Sequence, residues 1–210
     1  MVYAVLAAFF LMGIFYLCFQ RVKQTPGHSK AFACALKCAA TAMAVLVALL
    51  GCLRNGTAAH WVLLAGLVAC TVADGVLCYR FMTGGAIFAL GHILYMLSFC
   101  LMRMPTWRSV ILLLALMGLA TAGFTRFRQR IGRRYPFFYA YATVLCLMVS
   151  LAASQQPLYF TGALLFALSD AMLGYLMVDR GHTTLDWISL AVYYLGSIET
   201  LSGFGSWPFS

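Results

Sequence analysis

The chain has 210 residues, of which 64% are hydrophobic and 9% are charged. A soluble domain is about half apolar and about a quarter charged, so this composition excludes a soluble globular domain, a disordered chain and a nucleic-acid-binding module. A transmembrane helix takes about 20 residues, which leaves room for about eight spans and no large extramembrane domain. We therefore expect residues 1–210 to form a single integral-membrane domain, an all-α polytopic helix bundle.

In chain order, apolar runs separated by polar breaks predict eight helices, at about 2–19, 31–53, 60–79, 82–102, 109–125, 137–153, 159–178 and 185–203. The first run has no basic residue ahead of it and is followed by Arg21, so we interpret it as a retained span and not as a cleaved signal peptide. The eight cysteines all fall inside apolar runs, and we interpret them as small packing residues.

The distribution of basic residues predicts an orientation. The net charge is +9, and the odd-numbered loops hold ten Lys and Arg residues against three in the even-numbered loops. Cytoplasmic loops are enriched in Lys and Arg. We therefore expect the odd loops in the cytoplasm, both termini outside, and an integral multi-pass protein of the cell (inner) membrane. The five arginines of the predicted loop 126–136 dominate this prediction.

One short pattern occurs twice. The sequence small-Asp-x-x-Leu-x-Tyr occupies Ala73–Tyr79 in the third predicted helix and Ser169–Tyr175 in the seventh, 96 residues apart. Four helices separate the two copies, so both segments would cross the membrane in the same direction. The pattern is compatible with a four-plus-four internal repeat.

Four ionisable residues lie well inside predicted spans: Lys37, Asp74, His92 and Asp170. Asp186 and Glu199 lie near the two ends of the eighth predicted helix, where we expect them to be solvated or interfacial. Ionisable residues well inside a span cost free energy in a membrane and are candidates for function. At about 1.5 Å per residue, all four lie roughly 7–15 Å from the predicted cytoplasmic boundary, so they are predicted to form one cluster. Structural alternatives remain open: Lys37 reaching the head groups, Asp74 pairing with Arg80, and His92 bonding a neighbouring helix.

Helical spacing groups further residues with these charges. The fourth helix carries a stripe at i, i+4, i+7 and i+11, formed by Phe88, His92, Tyr95 and Phe99. The seventh helix carries a second face, formed by Gly162, Phe166, Ser169, Asp170 and Leu173. A few polar groups within an aromatic wall are typical of small-molecule pockets. Packing is the alternative interpretation of both stripes.

Two segments, DGVLCYRFMTGGAIFALGHILYM (74–96) and GALLFALSDAMLGY (162–175), resemble the YhhN family of membrane proteins, whose characterised members are lysoplasmalogenases. The residues that match the family pattern are Lys37, Asp74, Phe88, Gly91, His92, Tyr95, Gly162, Ala163, Phe166, Ser169, Asp170, Tyr193 and Tyr194. The match extends over almost the whole chain. The resemblance implies a membrane hydrolase that cleaves the vinyl ether of lysoplasmalogens to a fatty aldehyde and a glycerophospho head group.

Such a reaction needs a proton donor and a second carboxylate, and we predict that Asp74 and Asp170 supply them without metal or cofactor. His92 is the third predicted catalytic residue, either as a proton relay or as a residue that holds an aspartate in place. The predicted substrate-binding residues are Lys37, Tyr95, Ser169, Tyr194, Phe88 and Phe166. The expected partners are a lysophospholipid substrate and membrane lipid, with no nucleic acid. A small proton-coupled transporter is the alternative function, and a non-catalytic scaffold is a third hypothesis.

Overall fold

A computed structural model describes residues 2–27, 29–178 and 183–202. Those residues contain no strand and form eight α-helices, one at each predicted position. The helices are α1 (Val2–Gln24), α2 (Lys30–Asn55), α3 (Ala58–Leu77), α4 (Phe81–Met102), α5 (Trp107–Ile131), α6 (Tyr135–Ala152), α7 (Pro157–Val178) and α8 (Thr183–Ser202). The prediction of an all-α chain is confirmed.

The predicted break at 126–136 is wrong for most of its length. Helix α5 continues through Arg126, Arg128 and Arg130 to Ile131, because arginine is a good helix former and the last turns of a helix do not need an apolar environment. The helix ends at Gly132, whose φ of 60° lies in a region that favours glycine. Helix α1 likewise runs to residue 24 and not 19.

Five segments within the described residues are long and apolar enough to cross a membrane. These are Lys30–Asn55, Ala58–Leu77, Phe81–Met102, Trp107–Ala152 and Pro157–Met177. The fourth segment contains both α5 and α6, which are joined by a 3₁₀ turn at Gly132–Arg134. The chain therefore has the helices of a membrane protein, while the count of eight spans stays a prediction.

The helices fall into two compact units, made of the described residues of Met1–Ser98 and of Phe99–Gly203. In the first unit α1 packs against α2, and α2 packs against α3. Helix α2 begins after Ser29, whose Oγ accepts a hydrogen bond from the N–H of Phe32 at 3.4 Å. This cap satisfies one of the N–H groups that have no partner within the helix.

Helices α3 and α4 of the first unit approach closely through glycines. A Cβ atom on Gly66 would lie 2.8 Å from the Tyr95 ring and 2.9 Å from the carbonyl oxygen of Gly91. The Ser98 hydroxyl donates a hydrogen bond to the carbonyl oxygen of Ala59 at 2.8 Å. Small residues let two helix backbones approach at a membrane interface, so the aromatic side chains of α4 fit directly against α3.

In the second unit α5 and α6 form an antiparallel hairpin. The hydroxyl groups of Thr121 and Tyr139 lie 3.0 Å apart, and the Phe124 ring meets the rings of Tyr135 and Tyr139 edge to face. Helix α6 then packs against α7. The hairpin therefore places the arginine-rich end of α5 beside the first turn of α6.

Helices α7 and α8 pack in a register that is fixed by two contacts. A Cβ atom on Gly196 would lie 3.0 Å from the carbonyl oxygen of Gly162, so α8 lies against the backbone of α7. Two turns further along, the Ser169 hydroxyl donates to the carbonyl oxygen of Ser189 at 2.8 Å, and the Ser189 hydroxyl donates to that of Ser169 at 2.9 Å. The two helices are thus joined by reciprocal hydrogen bonds.

A polar cluster joins the turn before α5 to the turn before α7. The Ser154 hydroxyl accepts a hydrogen bond from the N–H of Thr106 at 3.1 Å and lies 2.6 Å from the hydroxyl of Ser109. The Gln155 amide donates to the carbonyl oxygen of Phe99 at 3.0 Å. These bonds fix one end of the second unit.

Candidate functional site

The first unit contains a buried ion pair between α2 and α3. Lys37 Nζ lies 2.8 Å from Asp74 Oδ1, with the side chains 14% and 1% exposed. The Thr41 hydroxyl donates a hydrogen bond to Asp74 Oδ2 at 2.6 Å. Both carboxylate oxygens of Asp74 therefore have a hydrogen-bond donor. The Lys37 side chain points toward this aspartate, inside the first unit. The alternative that Asp74 pairs with Arg80 at the helix end is not what the structure shows.

Three thiols surround this ion pair. Cys34 donates to the carbonyl oxygen of Gly75, Cys38 to that of Thr71, and Cys78 to that of Asp74. Burial raises the pKa of the Cys78 thiol, which follows the last residue of α3, to about 11, so this thiol keeps its proton at neutral pH. Within the described residues, no three or more His, Cys, Asp or Glu side chains are arranged to bind a metal ion.

The predicted face of α4 is buried. Phe88, His92 and Tyr95 are 4%, 0% and 1% exposed, and the His92 ring centroid lies 6.1 Å from that of Phe88 and 6.0 Å from that of Tyr95. The three side chains therefore form one aromatic stripe within the first unit. Tyr95 packs against Gly66 of α3, so at least this residue has a clear packing role.

The second unit holds Asp170 of α7, the second carboxylate predicted to be catalytic. The Tyr141 hydroxyl of α6 donates a hydrogen bond to Asp170 Oδ2 at 2.6 Å. Both residues line a groove of about 420 Å³ between α5, α6 and α7. The remaining lining is almost wholly apolar, with residues of 116–131, 138–149 and 164–175. A volume of this size is within the range of small-molecule sites.

The groove runs along the helices. From Leu116 to Ile131 the lining of α5 extends over 15 residues, or about 22 Å at 1.5 Å per residue. Phe127 of α5 and Tyr175 of α7 meet edge to face near the arginine-rich end. Gly123 and Gly174 also line the groove, and a Cβ atom on either would meet no atom within 4 Å. The groove is therefore elongated, with open space beside these two glycines.

The other residues predicted on α7 pack against α8. Phe166 is 1% exposed, and its ring meets the Tyr193 ring edge to face at 5.2 Å. The Tyr194 ring lies 5.3 Å from the Tyr193 ring and is 4% exposed. Ser169 bonds to α8 and does not line the groove. The helix face that carries the motif Gly162-x-x-x-Phe166-x-x-Ser169 thus contacts α8, while Asp170 points toward α6.

The family model of the YhhN family matches residues 32–199 of the chain. The chain belongs to the YhhN family. No curated protein and no solved structure matches it. The YhhN match includes every predicted site residue, from Lys37 to Tyr194, and extends over parts of both units.

Sequence reasoning missed several partners of the charged residues in this YhhN protein. On α2 the residues around the ion pair are spaced i, i+3, i+4 and i+7, and the same spacing recurs on α3. These residues are Cys34, Lys37, Cys38 and Thr41, and Thr71, Asp74, Gly75 and Cys78. Tyr141 lies on a stripe of α6 with Phe138, Ala142 and Leu145. The sequence signal for these partners was their helical spacing, which places them on one face of their own helix.

Proposed function

We propose that this protein hydrolyses the vinyl ether bond of lysoplasmalogens, with Asp170 as the proton donor. The observation that carries the proposal is a carboxyl group, hydrogen-bonded by Tyr141, in the wall of an otherwise apolar groove. A lipid chain needs an apolar site, and its vinyl ether needs an acid beside it. Membership of the YhhN family, which the lysoplasmalogenase-like motifs of the sequence also indicate, supports the same reaction.

The reaction begins with transfer of a proton from the Asp170 carboxyl to the alkene carbon that is β to the ether oxygen. The resulting oxocarbenium ion is stabilised by the carboxylate that remains. Water adds to the former vinyl carbon that is bonded to the ether oxygen, and it returns a proton to the Asp170 carboxylate. The product of this step is a hemiacetal. The hemiacetal collapses to a fatty aldehyde and the alcohol of the glycerophospho head group, so one water is consumed and the acid is regenerated.

Tyr141 orients Asp170 in this scheme. Its hydroxyl holds one carboxylate oxygen at 2.6 Å, which restricts rotation of the carboxyl group relative to the groove. A positioned acid or base typically contributes about 10²–10⁴-fold to rate. We assign the direct role to Asp170, since it lines the groove, whereas Asp74 is 1% exposed and bonded to Lys37 and Thr41. The predicted sharing of acid and base work with Asp74, and the relay by His92, stay predictions.

An assay that separates aldehyde from fatty acid tests the proposal. Purified protein in detergent is incubated with a lysoplasmalogen, with the ester-linked lysophospholipid and with the saturated alkyl ether of the same chain length. We expect aldehyde from the first substrate alone. Asp170→Asn should lower turnover by about 100-fold or more, and Tyr141→Phe should lower it by a smaller factor.

Tyr139→Phe is the matched control for Tyr141→Phe. Tyr139 also lies on α6 and also bonds a hydroxyl, that of Thr121, but it does not line the groove. Turnover by Tyr139→Phe should equal that of the unchanged protein. Unchanged turnover by Asp170→Asn would exclude Asp170 as the acid. If no aldehyde forms at all, proton uptake in liposomes tests the alternative of a proton-coupled transporter.

We further propose eight spans in the cell membrane with both termini outside, and an origin of the two units by duplication. In each unit the aspartate of the repeated pattern lies on the third helix and bonds to the second. Asp74 of α3 bonds to Lys37 and Thr41 of α2, and Asp170 of α7 bonds to Tyr141 of α6. This equivalence supports a four-plus-four repeat.

A further inference from the structure

A basic cavity adjoins the apolar groove at the turn between α5 and α6. It has a volume of about 650 Å³ and is lined by Arg128, Gln129, Gly132, Arg133, Tyr135 and Pro136. The Phe124 ring, which lines the groove, meets the Tyr135 ring, which lines the cavity, edge to face at 5.9 Å, and Arg128 lies one helical turn from Phe124. The apolar groove therefore has a polar, positively charged end.

Two features suit this cavity to an anion. Arg128 and Arg133 both line it, and guanidinium groups bind phosphate oxygens with paired hydrogen bonds. The Arg128 guanidinium lies 5.5 Å from the centroid of the Tyr135 ring, a cation–π contact that restricts its position.

We infer that the cavity and the groove together bind one single-chain phospholipid, with the phosphate between Arg128 and Arg133 and the hydrocarbon chain along the groove. The lining of about 22 Å along α5 exceeds the roughly 15 Å of hydrocarbon in one leaflet, half of the bilayer core. A chain of one leaflet therefore fits lengthwise. This inference deepens the proposed function and takes from it the choice of a lysophospholipid.

The position of Asp170 agrees with this arrangement. Tyr141, its hydrogen-bond partner, lies six residues from Tyr135, or about 9 Å along α6 at 1.5 Å per residue. The acid is thus set back from the basic cavity, where the glycerol backbone and the sn-1 linkage would follow a bound phosphate. The groove continues beyond it to Leu116 and Leu164, which would contact the distal part of the chain.

Binding of an uncleavable ligand tests the inference without turnover. The probe is a saturated 1-O-alkyl lysophosphatidylcholine, which has no alkene to protonate, and its affinity for the purified protein is measured by calorimetry in detergent. Two fragments serve as further arms: glycerophosphocholine, which has no chain, and 1-O-alkylglycerol, which has no phosphate. We expect the complete lipid to bind more tightly than either fragment.

Gly123→Leu fills the groove. The position has no atom within 4 Å of an added Cβ, so we expect the leucine side chain to enter the groove without disturbing the backbone. We expect it to weaken binding of the complete lipid and of alkylglycerol on the order of tenfold or more, because buried methylene groups lose their contacts. Gly118→Leu is the matched control, since Gly118 is also open but does not line the groove. It should bind as the unchanged protein does.

The doubly substituted Arg128→Gln, Arg133→Gln protein tests the basic cavity. Its matched control, Arg126→Gln with Arg130→Gln, removes the same charge from arginines that do not line the cavity. We expect the first to weaken binding of the complete lipid on the order of tenfold while alkylglycerol binding is unchanged. The control should change neither affinity.

Equal binding by Gly123→Leu and Gly118→Leu, or equal weakening by the two arginine pairs, would overturn the inference. Glycerophosphocholine binding as tightly as the complete lipid would show that the chain makes no use of the groove and would also overturn it. A protein that binds the alkyl ether as described but releases no aldehyde from lysoplasmalogen would refute the proposed function alone.

Discussion

Removal of Lys37 should destabilise the first unit because it leaves a buried carboxylate without its cation. Lys37 Nζ and Asp74 Oδ1 are 2.8 Å apart, and Coulomb's law at an effective dielectric constant of about 20 gives an attraction of roughly 6 kcal/mol at that distance. Desolvation of the two groups offsets much of this energy. Breaking a buried pair at one partner costs about 3–5 kcal/mol. At roughly 2–4 °C per kcal/mol, Lys37→Met should lower the Tm by about 6–20 °C.

The double variant Lys37→Met, Asp74→Leu should regain most of this stability, since apolar pairs of similar volume often replace buried ion pairs without loss. Thermal unfolding in detergent measures all variants. Lys30→Met is the control, because Lys30 of the same helix is exposed and makes a contact with the Tyr79 ring worth about 0.5–1 kcal/mol. A Lys37→Met protein as stable as the Lys30→Met protein would refute the reasoning. A stable but inactive double variant would assign the pair a role in turnover.

Three further predictions concern packing, orientation and metal. Gly66→Ala should destabilise the protein by about 1–3 kcal/mol, since its Cβ atom would lie 2.8 Å from the Tyr95 ring, whereas Gly118→Ala, in open space, should not; thermal unfolding compares them. In a cysteine-free background, Gln129→Cys should react with an impermeant thiol reagent from the cytoplasm and Gln156→Cys from outside, and labelling of both from one side would contradict eight spans. Chelators should leave aldehyde release unchanged, and loss of turnover restored by zinc would contradict the metal-free scheme.

The ionisable candidate residues could be predicted from the sequence, because a charge in an apolar membrane helix costs free energy and is therefore rare. The same holds for the α4 stripe, since Phe88, His92 and Tyr95 follow the helical period and are all buried. Helix positions were also predictable, because apolar runs of membrane length are unambiguous. The ends were not. Arginine interrupts an apolar run but favours helix, so α5 extends six residues beyond its expected end at 125.

The partners of the charged residues could not be predicted from the sequence. Periodicity places a residue on a face of its own helix but does not say which helix that face meets. Asp74 was compatible both with Lys37 on α2 and, as a structural alternative, with Arg80 nearby. The packing of α2 against α3 decided between them. Tyr141 carries an ordinary hydroxyl in an apolar span and gave no signal by itself. Ser169 adjoins Asp170 in the chain, yet the 100° step between helical neighbours turns it toward α8.

The serine bridge between α7 and α8 fixes the direction in which Asp170 points. Rotation of α7 about its axis would break both reciprocal hydrogen bonds between Ser169 and Ser189, and translation would drive Gly196 out of register with Gly162. Among the described residues, α8 contributes none to the groove, yet its contacts hold the orientation of α7 and therefore of Asp170. We expect substitutions at Ser189 or Gly196 to alter the proposed turnover through the angle of the Asp170 carboxyl group, although neither residue lines the groove.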